Sequence, residues 1–315
     1  MPHIRLALRL LPIFMMALAG CGFAGNRFSA EDSVSRTFNT KAAPRIIVDT
    51  FSGTINIRVE GTDTVKAKVT KRAGGASQEA AESDLENIEV SLSETGESIR
   101  VVARSVDSSA FHSRAADVSL QIPEGALLEL HTSNGRIDAV GKTGSVLARS
   151  SNGNIVIKGC GGKLDVETSN GDIALENGSD RVDAKTSNGN IAIKAVKGLV
   201  HSQTSNGSID FHGALIPGEH SFQASNGKIS VSLPAGSSFQ IDADTGMGEV
   251  TSEFEVLPTE KSEPKKDDKK PLKKTARKPK IPAKDKQLHG TVGENPDAKV
   301  KIHAGMGSIK IIKEN

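Results

Sequence analysis

Six Ser-Asn-Gly turns punctuate the middle of this chain, and their asparagines, Asn134, Asn152, Asn170, Asn188, Asn206 and Asn226, are separated by 18, 18, 18, 18 and 20 residues. A fixed period near 20 residues is the signature of a stacked repeat. Three residues beyond each Asn stand Ile137, Ile155, Ile173, Ile191, Ile209 and Ile229, and two further on Ala139, Ile157, Leu175, Ile193, Phe211 and Val231, all apolar. The residues between them are mostly polar, which is the period-two alternation of a half-buried strand. A second strand follows in each unit. Val146, Leu164, Val182 and Val200 lead it, Ala148, Val166, Ala184 and Ser202 come two places on, and Ser150, Thr168, Thr186 and Thr204 share the same inward parity.

Asn-Gly is also the strongest short-range hairpin signal, so an antiparallel meander has to be weighed against a solenoid. The columns decide between them. In a meander nothing requires isoleucine opposite isoleucine, whereas in stacked coils residue n lies over residue n+18 at about 4.8 Å. The expected fold is therefore all-β, a β-solenoid of stacked two-strand coils of about 18 residues. Stacking also places the six asparagines in one ladder, each amide within reach of the next. A hexapeptide β-helix fails, because six places past the isoleucines come Thr143, Gly161, Ser179, Lys197 and Leu215. A calcium β-roll fails because the carboxylates fall in no column that would offer the oxygen ligands Ca²⁺ needs.

The flanks carry the same unit in looser form. Arg45 to Val59 reads as strand, turn, strand with FSG in place of SNG, a short helix fits Gln78 to Asn87, and Pro-x-Gly turns join strands within Asp117–Gly135 and Val231–Gly248. After Val256 the pattern stops. Glu260 to Lys286 holds 12 Lys or Arg, 5 Asp or Glu and prolines 264, 271, 279 and 282, a composition that cannot bury enough surface to order itself. Ala298 to Ile312 then resumes the alternation. The organisation expected is a signal peptide over 1–20, a tether over 21–43, a solenoid over 44–256, a disordered Lys/Pro-rich insertion over 257–289 and final coils over 290–315.

The amino terminus supplies an address. Arg5 and Arg9 precede an apolar run from Leu10 to Leu18, too short to span a bilayer, and small residues follow, as in a secretory signal peptide. Leu18-Ala19-Gly20-Cys21 resembles the bacterial lipoprotein box, which implies lipidation of Cys21 and attachment to a membrane. With Gly at 22, the resemblance implies the outer membrane in a Gram-negative envelope. Cys160, left without a disulfide partner, is expected to be a small half-buried hydrophobe.

Beyond the lipobox, the Asn-Gly-turned strands, VSLQIPEGALLEL and the closing GMGSIKI resemble the bacterial putative-adhesin family of β-strand-repeat proteins with a domain of unknown function. The resemblance runs from about Arg45 to Ile312, apart from the insertion. It implies a β-helix-like fold and brings no catalytic residues with it.

Two functions are weighed. The first is a non-enzymatic envelope lipoprotein that presents a flat β-surface for adhesion or for binding an envelope polymer or protein. The second is a polysaccharide-active β-helix enzyme, which needs converging carboxylates. Asp138, Asp172 and Asp210 are assigned to one outward column beside the isoleucines, interrupted by Val156, Ala174 and Ala192. Two coils separate Asp138 from Asp172, about 10 Å. His201, His212 and His220 fit no metal-ligand spacing and are read as surface residues. Neither a catalytic set nor a metal or cofactor is expected, and nucleic acid is not, since no aromatic interleaves the lysines and the chain has no Trp or Tyr. A third reading gives the basic insertion a role as a tether to anionic polymer. Net charge supports a contact of that kind. Without residues 1–20 the chain is neutral, the insertion carries +7, and the remainder carries an equal negative charge. The oligomeric state is left open.

Overall fold

The structure is a computed structural model and describes residues 28–40, 43–106, 113–258 and 286–314. At each Ser-Asn-Gly turn the chain crosses from one sheet to the other, so a coil gives one strand to each of two twelve-stranded sheets. Along the repeats the strands pair parallel at n to n+18. Ile155 lies opposite Ile173, Ile173 opposite Ile191 and Ile191 opposite Ile209, and in the second sheet Val146, Leu164 and Val182 follow one another in the same way. The 20-residue step is absorbed between Ile209–His212 and Gly218–Asn226, and the register of Ile209 on Ile229 is kept. Sequence periodicity and observed register coincide, and the fold is the β-solenoid.

The core is the slab between the sheets. All six isoleucines of the column are at most 1% exposed, and burying each contributes about 1.5–3 kcal/mol. Phe211 of one sheet meets Phe222 of the other with ring centroids 5.3 Å apart, which fixes the slab as a two-sided sandwich.

At both ends the stacking order departs from the chain order. The coil over Arg45–Val59 sits between the coil over Leu127–Thr143 and that over Ser98–Ile122, so the second coil in sequence is the outer one. The carboxyl end repeats the device. Ala298–Glu314, the last coil made, is paired on one side with Gly218–Pro234 and on the other with Phe239–Ser252. Three of the four sheet ends are then covered, Val250–Ser252 remaining the edge of its sheet. Phe28–Asn39 lies antiparallel on Thr64–Gly75, Ile88–Thr95 on Ser98–Ser105, and Gln287–Val292 on Phe239–Met247. Such antiparallel strands interrupt the parallel template that an open solenoid end would offer. A helix over Gln78–Leu85, capped by the Ser77 hydroxyl accepting from Ala80 N–H, closes the amino end. Beneath it Arg114 donates to both carboxylate oxygens of Asp84 at 2.6 and 2.8 Å, with both side chains about 5% exposed.

Two boundaries differ from the sequence reading. The stretch taken as a tether, 21–43, contains the twelve-residue strand Phe28–Asn39, recruited because Ala30 and Phe38 bury themselves. The stretch taken as the insertion, 257–289, is tied at both margins. Leu257 exchanges backbone bonds with Thr291, and strand Gln287–Val292 crosses the expected boundary at 290. The signal peptide, Cys21 and most of the Lys/Pro-rich stretch lie outside the described residues.

Candidate functional site

The edge formed by the turns is the most regular surface of the molecule. Each asparagine amide donates to the side-chain oxygen of the Asn one coil below, from Asn152 to Asn134, Asn170 to Asn152, Asn188 to Asn170, Asn206 to Asn188 and Asn226 to Asn206, at 2.8–2.9 Å. The coil above Asn226 places Met306 in this column and the next Met247, both exposed. Inside the turn, Thr168, Thr186 and Thr204 donate to the carbonyls of Gly153, Gly171 and Gly189, each at 3.0 Å, and Ser150 does the same to Gly135 at 3.2 Å. Glycine is required because the coils touch here. A Cβ on Gly189 would overlap the carbonyl oxygen of Gly171.

Asp172 does not belong to the column in which the sequence reading placed it. It precedes Ile173 and stands in the column after the turn glycine, between Asn154 and Asn190. There it donates its N–H to Asn154 Oδ1 at 2.9 Å and accepts the N–H of Asn190 at 2.7 Å. Asp138 and Asp210 do share a column, but Val156, Ala174 and Ala192 separate them. Four strand spacings put them about 19 Å apart, and Asp138 is held by Arg58 and Arg136. These carboxylates do not converge on one bond.

The histidines divide. His212 is a surface residue lying between Asp210 and Glu314. His220 corrects the sequence reading, because it is fully buried in the inward column headed by Val182 and Val200. Its Nδ1 accepts the Val200 N–H at 3.3 Å, and Nε2 faces the Ile216 carbonyl at 2.9 Å, which requires the proton on Nε2. Burial holds its pKa below the ordinary histidine value against the pull of the Ile216 carbonyl, and the charge of His201 adds to the lowering. Cys160 is more buried than expected, at 2% exposure, with Sγ 2.9 Å from the Gly144 carbonyl. Its burial pushes the thiol pKa up, away from the reactive thiolate.

Among the described residues no group of three or more His, Cys, Asp and Glu is placed to hold a metal ion, and no helix is long and apolar enough to cross a membrane. The outer face of the second sheet carries charge in alternating sign. Arg149 faces Asp165 and Glu167, and Lys163 and Arg181 flank Asp183, whose pKa the Arg181 hydrogen bond lowers. Asp49, His131, Arg149 and Glu167, in register on successive strands, line a shallow groove of about 310 Å³ with Ser133, Ser151 and Ser169 along its margin. The groove has no aromatic wall, and its lining is polar.

A family model described as Toastrack DUF4097 matches residues 44–289. The chain belongs to the Toastrack DUF4097 family. Three solved structures are similar to it. A putative adhesin from Bacteroides fragilis NCTC 9343 is 14% identical, with a TM-score of 0.42 over 89% of this chain and 97% of that one. A putative adhesin from Parabacteroides merdae ATCC 43184 is 11% identical, with a TM-score of 0.38 over 91% and 98%. A putative cell adhesion protein from Clostridium sporogenes ATCC 15579 is 12% identical, with a TM-score of 0.30 over 90% and 100%. No curated protein matches the chain.

Proposed function

We propose that this Toastrack protein is a non-enzymatic, lipid-anchored envelope protein, a stiff rod that carries a contact surface away from the membrane holding its amino end. One observation carries the reading. Phe28–Asn39, which begins seven residues after Cys21, is the terminal strand of its sheet, and the strands at the far end lie eleven spacings away. At about 4.8 Å each this is roughly 53 Å. The lipoprotein box supports attachment at Cys21 through several acyl chains, since stable anchoring takes more than one. The sides of the rod are polar, ion-paired and without converging catalytic groups, which supports binding over turnover.

The test is fractionation. Wild-type protein is expected in the membrane fraction and a Cys21→Ser protein in the soluble fraction; membrane retention of the variant would sink the anchoring step. Purified mature protein should cosediment with native envelope material and leave it chemically intact, whereas release of sugar fragments in a glycan screen would favour the enzyme. Deleting 260–286 should leave the solenoid folded and weaken salt-sensitive binding.

A further inference from the structure

Four strands end the two sheets, and each has one side without a neighbouring strand. Val250–Ser252 is three residues long, Gln287–Val292 is six and is met by Leu257, and Ile88–Thr95 is eight and carries Glu89 and Glu94. Phe28–Asn39 differs from them. Its twelve residues pair with Thr64–Gly75 in one unbroken register, without a bulge, and they include no proline and no lysine. Sheet proteins ordinarily blunt an edge with such devices or keep it short, because a long, flat row of free N–H and C=O groups recruits another strand.

Which groups are free follows from the pairing. Thr40 N–H donates to the Asp63 carbonyl at 2.9 Å, and this pair continues the register of Asn39 on Thr64. Bonded pairs alternate along an antiparallel ladder, so the even-numbered residues turn their backbone groups to Thr64–Gly75 and the odd-numbered ones, from Ser29 to Asn39, turn theirs outward. Ser33 N–H accordingly takes no strand partner among the described residues and donates to Asp32 Oδ1 at 2.8 Å. The even-numbered side chains share the inner face, where Ala30 and Phe38 are buried but Val34, midway between them, is 37% exposed.

The strand is complementary to itself. When it is laid antiparallel on a second copy with Val34 opposite Val34, the pairs Ser33–Ser35, Glu31–Thr37 and Ser29–Asn39 become the hydrogen-bonded ones, as free groups on odd-numbered residues require. Asp32 then falls opposite the partner's Arg36, and Arg36 opposite the partner's Asp32. Moving the centre to Ser33 or Ser35 leaves no unlike charges face to face, and centring on Asp32 or Arg36 sets like on like. Asp32 already meets Lys71 at 3.1 Å, and Arg36 gives one N–H to the Leu92 carbonyl at 2.8 Å. A carboxylate with two oxygens and a guanidinium with five N–H groups have contacts to spare.

We propose that Phe28–Asn39 is the edge at which a second copy of this chain docks, strand to strand and antiparallel about a two-fold axis through Val34. The interface is isologous, so it closes at two copies. One sheet then runs unbroken through both molecules, and each rod extends away from its own amino end. The pairing needs no lipid, so it stands or falls apart from the anchoring step above.

The test uses residues 22–315, which hold every described element. Sedimentation should show a concentration-dependent species of twice the chain mass. Val34→Cys should give a disulfide-linked dimer on mild oxidation, since residues opposed in a non-bonded pair lie about 4.5 Å apart at Cα. Thr37→Cys, set about 20 Å from its counterpart in this register, should not. Asp32→Arg and Arg36→Asp should each weaken association at least about tenfold by turning two attractive pairs repulsive, and an equal mixture of the two should restore it, which unfolding could not do. Ser35→Pro should abolish association with the melting curve unchanged, because its N–H faces outward and the bonds to Thr64–Gly75 are kept. A wild-type chain that stays monomeric at every concentration, a mixture that stays dissociated, or a Ser35→Pro chain that associates like wild type would each overturn the proposal. So would a monomer whose Ser33, Ser35 and Thr37 amides resist hydrogen exchange, since the edge would then be covered from within its own chain.

Discussion

At the scale of single residues, the turn is held by a hydroxyl and a glycine acting on the same carbonyl. Thr186→Val keeps the shape but leaves the Gly171 carbonyl without its donor, and should cost about 1–3 kcal/mol in denaturant unfolding. Ser202→Ala should go the other way. Its hydroxyl is buried with no partner among the described residues, so removing it should be neutral or stabilise by up to about 1 kcal/mol. His220 gives the pH dependence. Its folded pKa is lowered, so the unfolded chain takes up the proton first, and its stabilisation is complete above about pH 6.5 and lost as pH falls below it. The slope should approach about 1.4 kcal/mol per pH unit, and His220→Val, the residue type of Val182 and Val200, should flatten it in thermal melts at pH 5 and pH 7.5. That histidine was within reach of the sequence, because 200 to 220 repeats the 20-residue step from Asn206 to Asn226. What hid it is that histidine is ordinarily a surface residue, and only its parity with Phe222 and Ala224 marks it as inward. Asp172 was misplaced by two residues, which leaves it on the outward face and moves it from the column after the isoleucine to the one before it.

At the scale of elements, strand type and register were legible because each repeat carries the same inward column, and the turn glycines mark where each coil ends. The order of the end coils was not legible. Ile55, Ile137, Ile309 and Val250 are equally good neighbours for an isoleucine seam, so apolar patterning cannot tell which coil lies on which. The choice is made by the closing elements, and the Asp84–Arg114 pair shows how firmly. Arg114→Met would leave a carboxylate buried beneath the helix and should destabilise the amino end by about 3–5 kcal/mol. The double replacement Asp84→Leu, Arg114→Met should recover most of that, as read by a double-mutant cycle in denaturant.

At the scale of the whole molecule, function was less legible than fold, because repeats fix a shape while the residues that choose a partner lie on outward positions the repeat leaves free. Stability should be uneven along the rod. In a stacked array each coil depends on its neighbours, so a chain ending at residue 293 would lose the coil Ala298–Glu314 and with it the parallel partner of Phe239–Ser252. Hydrogen exchange in such a truncated chain should rise steeply from residue 218 onward and stay slow at Ile155 and Ile173.

Because Ala298–Glu314 slots between two coils that are already made, the rod works like an arch whose keystone is laid last. A chain emerging amino end first has a gap in its stack until the final residues arrive, so any product cut short after Ser252 carries a raw, unfilled seam that a protease can recognise. Closure of the stack is thereby left to Ala298–Glu314, which joins the two coils on either side of it.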